Sequence, residues 1–141
     1  MTDLELAQRC GEVMWNDDNA SHALGIEMEV TGVGAANARM VIREDMVNGL
    51  EVCHGGLVFA LADTAFAFAC NAYNNQSFAA SCQIDFLRPA KLGDELLAVA
   101  SEDHRGRRSG YYTVRIQNQR GEPVALFRGR CASNGEALIG K

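Results

Sequence analysis

The chain has 141 residues, of which 48% are hydrophobic and 22% charged, and its formal net charge is −5. This length is typical of one domain with a core of its own, and the composition is too apolar for a disordered chain. The acidic balance argues against non-specific nucleic-acid binding. We therefore expect a single domain over residues 1–141.

The longest apolar segment, Leu57 to Cys70, is shorter than the roughly 20 residues that a membrane-spanning helix needs. The N-terminus is acidic and lacks the basic-then-apolar order of a signal peptide. The five cysteines show no C-x-x-C spacing, and three of them lie in apolar runs, which predicts reduced core residues. We expect a cytoplasmic protein without a metal site.

In chain order, the first predicted element is an amphipathic helix over residues 3–16. From Gly25 the apolar period changes to two, which predicts a hairpin with strands near 26–30 and 37–42 and a turn at Gly32–Gly34. Residues 44–53 read as a loop. A very apolar helix follows over about 55–72, and Asn71 marks its end.

The rest of the chain alternates with the period of a strand. Four strands are predicted, near 82–86, 95–101, 111–116 and 124–131. Antiparallel strands joined by short turns need no crossovers, and a helix that is apolar all round must be wrapped by something. The expected fold class is α+β, with a curved antiparallel sheet around the central helix.

Asp63 stands almost alone among apolar neighbours in that helix. A carboxylate removed from water costs several kcal/mol unless it is paired, hydrogen-bonded or protonated. Such a position usually holds a structural pair or a working acid, base or nucleophile. Asp63 is therefore the leading candidate for chemistry.

His54, Gly55 and Gly56 precede the helix. N–H groups of a first helical turn lack intrahelical partners, and glycines let a ligand approach them, which predicts an oxyanion hole or anion site. A tight turn would also explain the glycines. His54 is either a general base or a partner of a loop carbonyl, and Asn48 by default is a turn residue.

Asp63 follows Gly55 by about 12 Å at the helical rise per residue. One helix cannot bring its own Asp63 onto its own oxyanion hole. Either the substrate spans the gap, or a second subunit supplies the partner residue.

Basic residues concentrate in the second half of the chain. Residues 81–141 carry 10 Lys and Arg against 7 Asp and Glu, whereas residues 1–80 carry 3 against 11. The basic half is either a solvated face or a seat for a phosphate-bearing ligand. Its densest cluster, Arg105, Arg107 and Arg108, reads as a loop because of its glycines.

Residues around the central helix resemble the motif of the hotdog-fold acyl-CoA thioesterases, with the phenylacetate-degradation branch as the nearest likeness. They are Asn48, His54, Gly55, Gly56 and Asp63, followed by the segment Phe86–Asp94. The likeness runs from about Gly25 to Cys131. It implies a sheet wrapped around the helix, dimers with a continuous sheet, commonly homotetramers, an active site at the dimer interface, and no cofactor beyond the coenzyme A of the substrate.

The resemblance also implies residue roles. The Gly55 N–H would polarise the thioester carbonyl, and Asp63 from the partner subunit would be the nucleophile or the general base. Asn48 would position the water or the carboxylate, and His54 would buttress the site. The residues implied in substrate or CoA binding are Gly56, Ser81, Arg88, Lys91, Arg105, Arg107 and Arg108.

The function that follows is hydrolysis of aryl-acetyl-CoA thioesters, such as phenylacetyl-CoA and its ring-hydroxylated derivatives, to the free acid and CoA. One alternative is a hotdog hydratase or dehydratase, which would need a His–Asp or His–Glu acid–base pair acting on the same substrate carbon. Another is a non-catalytic acyl-CoA-binding protein, which would have no need of Asp63.

Overall fold

The computed structural model describes residues 1–140. Its helices are α1 (Asp3–Asp17), α2 (Asn19–Ala23) and α3 (Gly55–Cys70), with a 3₁₀ turn at Glu44–Met46. Its strands are β1 (Glu27–Gly32), β2 (Ala35–Val41), β3 (Ser77–Phe86), β4 (Glu95–Arg105), β5 (Ser109–Gln117) and β6 (Pro123–Ser133). Over these residues, no helix is long and apolar enough to cross a membrane.

The six strands form one antiparallel sheet in the order β1-β2-β4-β5-β6-β3. Helix α3 packs across one face of it, and alternate strand residues on that face are buried. The ring of Phe66 on α3 contacts Tyr112 and Phe127, each with ring centroids 5.6 Å apart. This is the predicted α+β arrangement, a sheet around a central apolar helix.

Asn71 ends α3 and also fixes the entry into β3. Its amide nitrogen donates to the carbonyl oxygens of Ala67 and Ser77, and its Oδ1 accepts from the Ser77 N–H at 2.9 Å. The helix therefore ends at Cys70, two residues before the predicted limit of 72.

The predicted N-terminal helix and hairpin are confirmed. Two short elements were not predicted: α2, and the 3₁₀ turn within the expected loop 44–53. Both are single turns, too short to show a helical period. Strands β3 and β4 extend beyond their predicted bounds, and each contains a bulge that interrupts the apolar alternation, between Ala79 and Ser81 and between Glu102 and His104.

Strand β3 is an edge of the sheet, and most of its side chains are exposed. Phe78 is 57% and Phe86 54% exposed, far more than such residues are in a core. Four of the five free cysteines are buried, and the fifth, Cys82, lies exposed on this strand. The predicted strand is present, but within one chain its inner side is covered only in part, with Ile84 half-buried against the core.

Candidate active site

The N-terminus of α3 offers free backbone donors. His54 is the N-cap, and its carbonyl oxygen accepts from the N–H groups of Leu57 and Val58 at 3.0 and 3.4 Å. Within residues 1–140, the N–H groups of Gly55 and Gly56 have no acceptor, and no side chain caps the helix. Because the helix dipole favours negative charge here, the two N–H groups form a potential oxyanion hole.

The loop before α3 holds these donors in place. The Oδ1 atom of Asn48 accepts from the N–H groups of Leu50 and Val52 at 2.9 and 3.2 Å, so Asn48 shapes the turn that was its default interpretation. The N–H of Cys53 donates to the carbonyl oxygen of Ala90 at 2.7 Å. The loop is thereby tied to the segment after β3, and Asn48 itself is exposed.

An apolar cavity of about 400 Å³ opens beside Gly55. Its walls include Val58 of α3 and Phe86 and Leu87 at the end of β3. The ring of Phe86 lies against Gly55 so closely that a Cβ on Gly55 would come within 2.9 Å of its Cζ. A cavity of this size is in the range that holds small organic ligands.

Asp63 is half-buried and unpaired. Within the described residues its carboxylate makes no hydrogen bond and no ion pair. Burial raises its pKa above the ordinary 3.8, and the negative charge of Asp18 raises it further. Burial raises the pKa of the Cys82 thiol, and the nearby charge of Asp63 raises it further, so the carboxylate lies on the side of α3 towards the edge strand β3.

The structure separates the predicted basic residues into different places. Arg88 lines the cavity at Gly55, and its guanidinium lies 3.1 Å from Glu122 Oε2. Lys91 is exposed, and its backbone forms an isolated β-bridge with Val52 in the loop before α3. Arg107 and Arg108 are exposed near the opposite end of α3, beside Asn75 and Ser133.

Arg105 corrects the prediction of a three-arginine loop. It is the last residue of β4, and its guanidinium points into the protein, where it donates to the Cys70 carbonyl oxygen at 3.2 Å and to Ser133 Oγ at 2.9 Å. It also contacts Cys131 Sγ at 3.2 Å. The hydrogen bond with Cys70 and the Arg105 charge lower the pKa of Cys131. Arg105 therefore closes the C-terminal end of α3 through hydrogen bonds made inside the protein, unlike the exposed Arg107 and Arg108.

Ser81 is not brought together with Asp63. The β3–β6 register sets Ser81 opposite Arg130 and Cys82 opposite the buried Gly129. Ser81 therefore lies on the face of the sheet away from α3. The predicted site residues that share one region are Gly55, Gly56, His54 and Asn48, with Arg88 and Lys91 beside them.

Two neighbours of the site were missed from the sequence. Phe86 was recognised only as part of a motif, and its contact with Gly55 is tertiary. Asp18 was overlooked at the polar end of the first helix, although Asp18 followed by Ser21 is a recognisable helix-capping pattern.

The antiparallel sheet around an apolar helix, with free donors at the start of that helix and an unpaired carboxylate along it, defines a hotdog-fold enzyme. Residues 50–125 match the family described as the thioesterase superfamily. The chain is 43% identical to the acyl-coenzyme A thioesterase PaaI of Escherichia coli over 128 residues, which cover 91% of each protein. The chain therefore belongs to the thioesterase superfamily and is a thioester hydrolase.

Solved structures agree with this assignment. The PaaI protein from the phenylacetic acid degradation operon of Escherichia coli superposes with a TM-score of 0.94 and 40% identity, covering 96% of this chain and 99% of that one. A mutant of the phenylacetic acid degradation protein PaaI from Thermus thermophilus gives a TM-score of 0.78 and 35% identity, covering 82% and 98%. The expected fold and enzyme class are confirmed.

Proposed function

We propose that the protein hydrolyses aryl-acetyl-CoA thioesters, phenylacetyl-CoA and its ring-hydroxylated derivatives, to the free acid and CoA in aromatic catabolism. The observation that carries this proposal is the pair of free N–H groups at Gly55 and Gly56 beside an apolar cavity. Support for the acyl-CoA class comes from the relative with 43% identity, an acyl-coenzyme A thioesterase. Support for the phenylacetyl group comes from the operon of the same Escherichia coli protein.

The proposed reaction begins with the thioester carbonyl oxygen at the Gly55 N–H. Attack on the carbonyl carbon places negative charge on that oxygen, where one oriented donor is worth about 2.7–4 kcal/mol. Asp63 acts either as the nucleophile, forming an anhydride that water then hydrolyses, or as the base that takes a proton from the attacking water. In both routes the carbon–sulfur bond breaks and CoA leaves as a thiolate.

The site requires two subunits. Asp63 lies about 12 Å along α3 from Gly55, too far for one helix to bring both to one carbonyl carbon. Strand β3 runs past both Gly55 and Asp63. Its residue Phe86 lies against Gly55, and its residue Cys82 is close enough to Asp63 for the negative charge to raise the pKa of the thiol, which burial also raises. A long apolar edge strand is a surface that proteins normally cover, and pairing of two β3 strands would cover it. We infer a dimer through β3 in which the Gly55 donor meets Asp63 of the partner subunit.

The same dimer gives the exposed arginines a purpose. If two β3 strands pair antiparallel, the Ser77 end of one lies beside the Phe86 end of the other. Arg107 and Arg108 lie beside Ser133, whose hydroxyl group contacts that of Ser77. In such a dimer they approach Arg88 and Lys91 of the other subunit. We propose that these four residues bind the CoA phosphates, in a way weakened by salt. Their substitution should raise KM for acyl-CoA more than for the acyl-pantetheine, which lacks the phosphates.

Thiol release from a panel of acyl-CoAs tests the function. The wild type should prefer phenylacetyl-CoA and its hydroxylated derivatives over acetyl-CoA and long-chain acyl-CoAs. The Asp63→Ala and Asp63→Asn variants should lose about 100- to 10,000-fold in kcat, the range of a lost acid–base or nucleophilic group. Undiminished turnover in both variants would refute the mechanism. Tight acyl-CoA binding without any turnover by the wild type would instead favour a binding protein.

A single-turnover reaction in oxygen-18 water separates the two roles of Asp63. A nucleophilic carboxylate acquires the label when water attacks the aspartyl carbonyl of the anhydride, whereas a general base never acquires it. Mass spectrometry of the peptide that contains Asp63 reads the result directly.

A further inference from the structure

A series of close polar contacts joins the N-terminal helices to the residue that follows Asp63. Asp18, between α1 and α2, accepts from the backbone N–H of Ser21 at 3.0 Å and from its hydroxyl at 2.7 Å. The Ser21 Oγ lies 3.1 Å from Thr64 Oγ1, which also donates to the carbonyl oxygen of Ala60. Because the carboxylate is the strongest acceptor, it takes the Ser21 hydrogen, and the single Thr64 hydroxyl hydrogen goes to the Ala60 carbonyl oxygen. The 3.1 Å approach of the two hydroxyl oxygens is therefore a close polar contact that places Asp18, through Ser21, beside the residue that follows Asp63.

These contacts are shielded from water. Ser21 is only 3% exposed, so the contact between α2 and α3 is part of the interior. Charges in such surroundings are screened much less than surface charges. The Asp18 carboxylate, itself half-buried, is held at this contact between α2 and α3 by the Ser21 hydroxyl.

Within the described residues, Asp18 is the charged group that acts on Asp63. Its negative charge is the second cause, after burial, that raises the pKa of Asp63. The other titratable groups facing Asp63 are the thiols of Cys82 on β3 and Cys70 on α3. Burial raises the pKa of Cys82. The hydrogen bond between Cys70 and Cys131, together with burial, raises the pKa of Cys70. These thiols are neutral at pH 7, and over residues 1–140 no cation pairs with Asp63.

We propose that Asp18 is a positioning residue that acts from the α1–α2 junction and sets the pH range over which Asp63 works as a base. The inference rests on the proposed role of Asp63 in thioester hydrolysis. An ordinary aspartate is a weak base near neutral pH, and general-base catalysis is most efficient when the pKa lies closer to the working pH. A half-buried negative charge held at the α2–α3 contact provides that adjustment without touching the substrate.

The Asp18→Asn variant isolates the charge. Asn is as good an N-cap as Asp, so the hydrogen bond from the Ser21 N–H to Asp18 Oδ1 can be kept. Asp17→Asn is the matched control, since it removes one charge from the adjacent exposed position, which makes no side-chain hydrogen bond within residues 1–140. Thermal melts of both variants establish that they fold.

The pH profile of phenylacetyl-CoA hydrolysis tests the proposal. In Asp18→Asn the acidic limb of kcat/KM should move to lower pH, and the plateau kcat should fall severalfold because the base is weaker. The Asp17→Asn profile should coincide with the wild type. A loss of folding would lower the rate at every pH without moving the limb. An acidic limb that stays in place in folded Asp18→Asn overturns the proposal.

A second measurement does not depend on catalysis. With carbon-13 in the aspartate carboxyl groups, the Asp63 signal is assigned by its absence in Asp63→Asn, and its shift is followed against pH. Its midpoint should be lower in Asp18→Asn than in the wild type and unchanged in Asp17→Asn. An unmoved midpoint overturns the role of Asp18 even if Asp63 is catalytic. A lowered midpoint in a protein whose activity does not need Asp63 would instead refute the proposed mechanism.

Discussion

The ring of Phe86 lies against Gly55, and a Cβ added to Gly55 would come within 2.9 Å of the Phe86 Cζ. The end of an exposed edge strand thus meets the first residue of the central helix. Through this contact, β3 forms one wall of the space in front of the free N–H groups. Substitutions here should separate the needs of catalysis from those of folding.

Gly55→Ala should reduce kcat severely, because the new methyl group displaces the Phe86 ring and crowds the oxyanion donor. A loss of about 10²–10³ is typical when an oxyanion-hole donor is removed. Gly56→Ala is the matched change, since its Cβ would meet nothing within 4 Å. It should retain more activity and stabilise the fold by about 0.5–1 kcal/mol, the helix propensity difference. Steady-state kinetics and denaturant unfolding measure both effects, and equal kcat losses in the two variants would count against the Gly55 donor.

Asp63→Asn should stabilise the protein at neutral pH. The pKa of Asp63 is raised in the folded chain above the ordinary 3.8, so protonation favours the native state. Its contribution to the unfolding free energy is therefore fully present below pH 3.8 and is lost as pH rises through the raised pKa. The Asn side chain does not ionise, so the variant does not lose stability in this way as pH rises. Urea unfolding at several pH values and one protein concentration measures this effect. The free energy of unfolding of the wild type should decline as pH rises, and the decline should be smaller in the variant. Parallel pH dependences of the two proteins would refute the cost of burying the Asp63 charge.

Much of this site could be read from the sequence, and the exceptions have a common cause. The apolar run with one carboxylate, preceded by two glycines, identified α3, Gly55 and Asp63 without any tertiary information. The faces of Ser81 and Arg105 could not be read, because a bulge precedes each of them. One extra residue in a strand reverses which side chains face the core. The glycines near Arg105 predicted a loop, whereas β4 continues through its bulge to Arg105.

Arg105→Met should destabilise the fold by about 2–3 kcal/mol, because the Cys70 carbonyl and the Ser133 hydroxyl lose a charged donor in a partly buried site. Arg107→Met removes the same charge from an exposed loop and should change stability by less than about 0.5 kcal/mol. Denaturant midpoints at fixed protein concentration compare them. Equal effects would mean that the interior contacts of Arg105 contribute nothing to stability.

Cys82→Glu should disrupt the proposed dimer. Cys82 lies exposed on β3, and a carboxylate there would be buried against a partner strand and lie near the charge of Asp63. Cys82→Ser keeps the size of the side chain and serves as the control. Sedimentation velocity should find a dimer or tetramer for the wild type and for Cys82→Ser, and a smaller species for Cys82→Glu. An unchanged assembly in Cys82→Glu would place the interface elsewhere.

The central claim is that one subunit supplies the Gly55 donor and the other supplies Asp63, and mixed oligomers test it most directly. Asp63→Asn and Gly55→Ala proteins, each nearly inactive alone, are mixed, unfolded and refolded together, and thiol release from phenylacetyl-CoA is measured. In a two-fold dimer, half of the random pairs are mixed and each has one intact site, so activity should recover to about a quarter of the wild type. No recovery above the sum of the two separate variants, in mixtures shown to contain mixed dimers, would contradict the shared site.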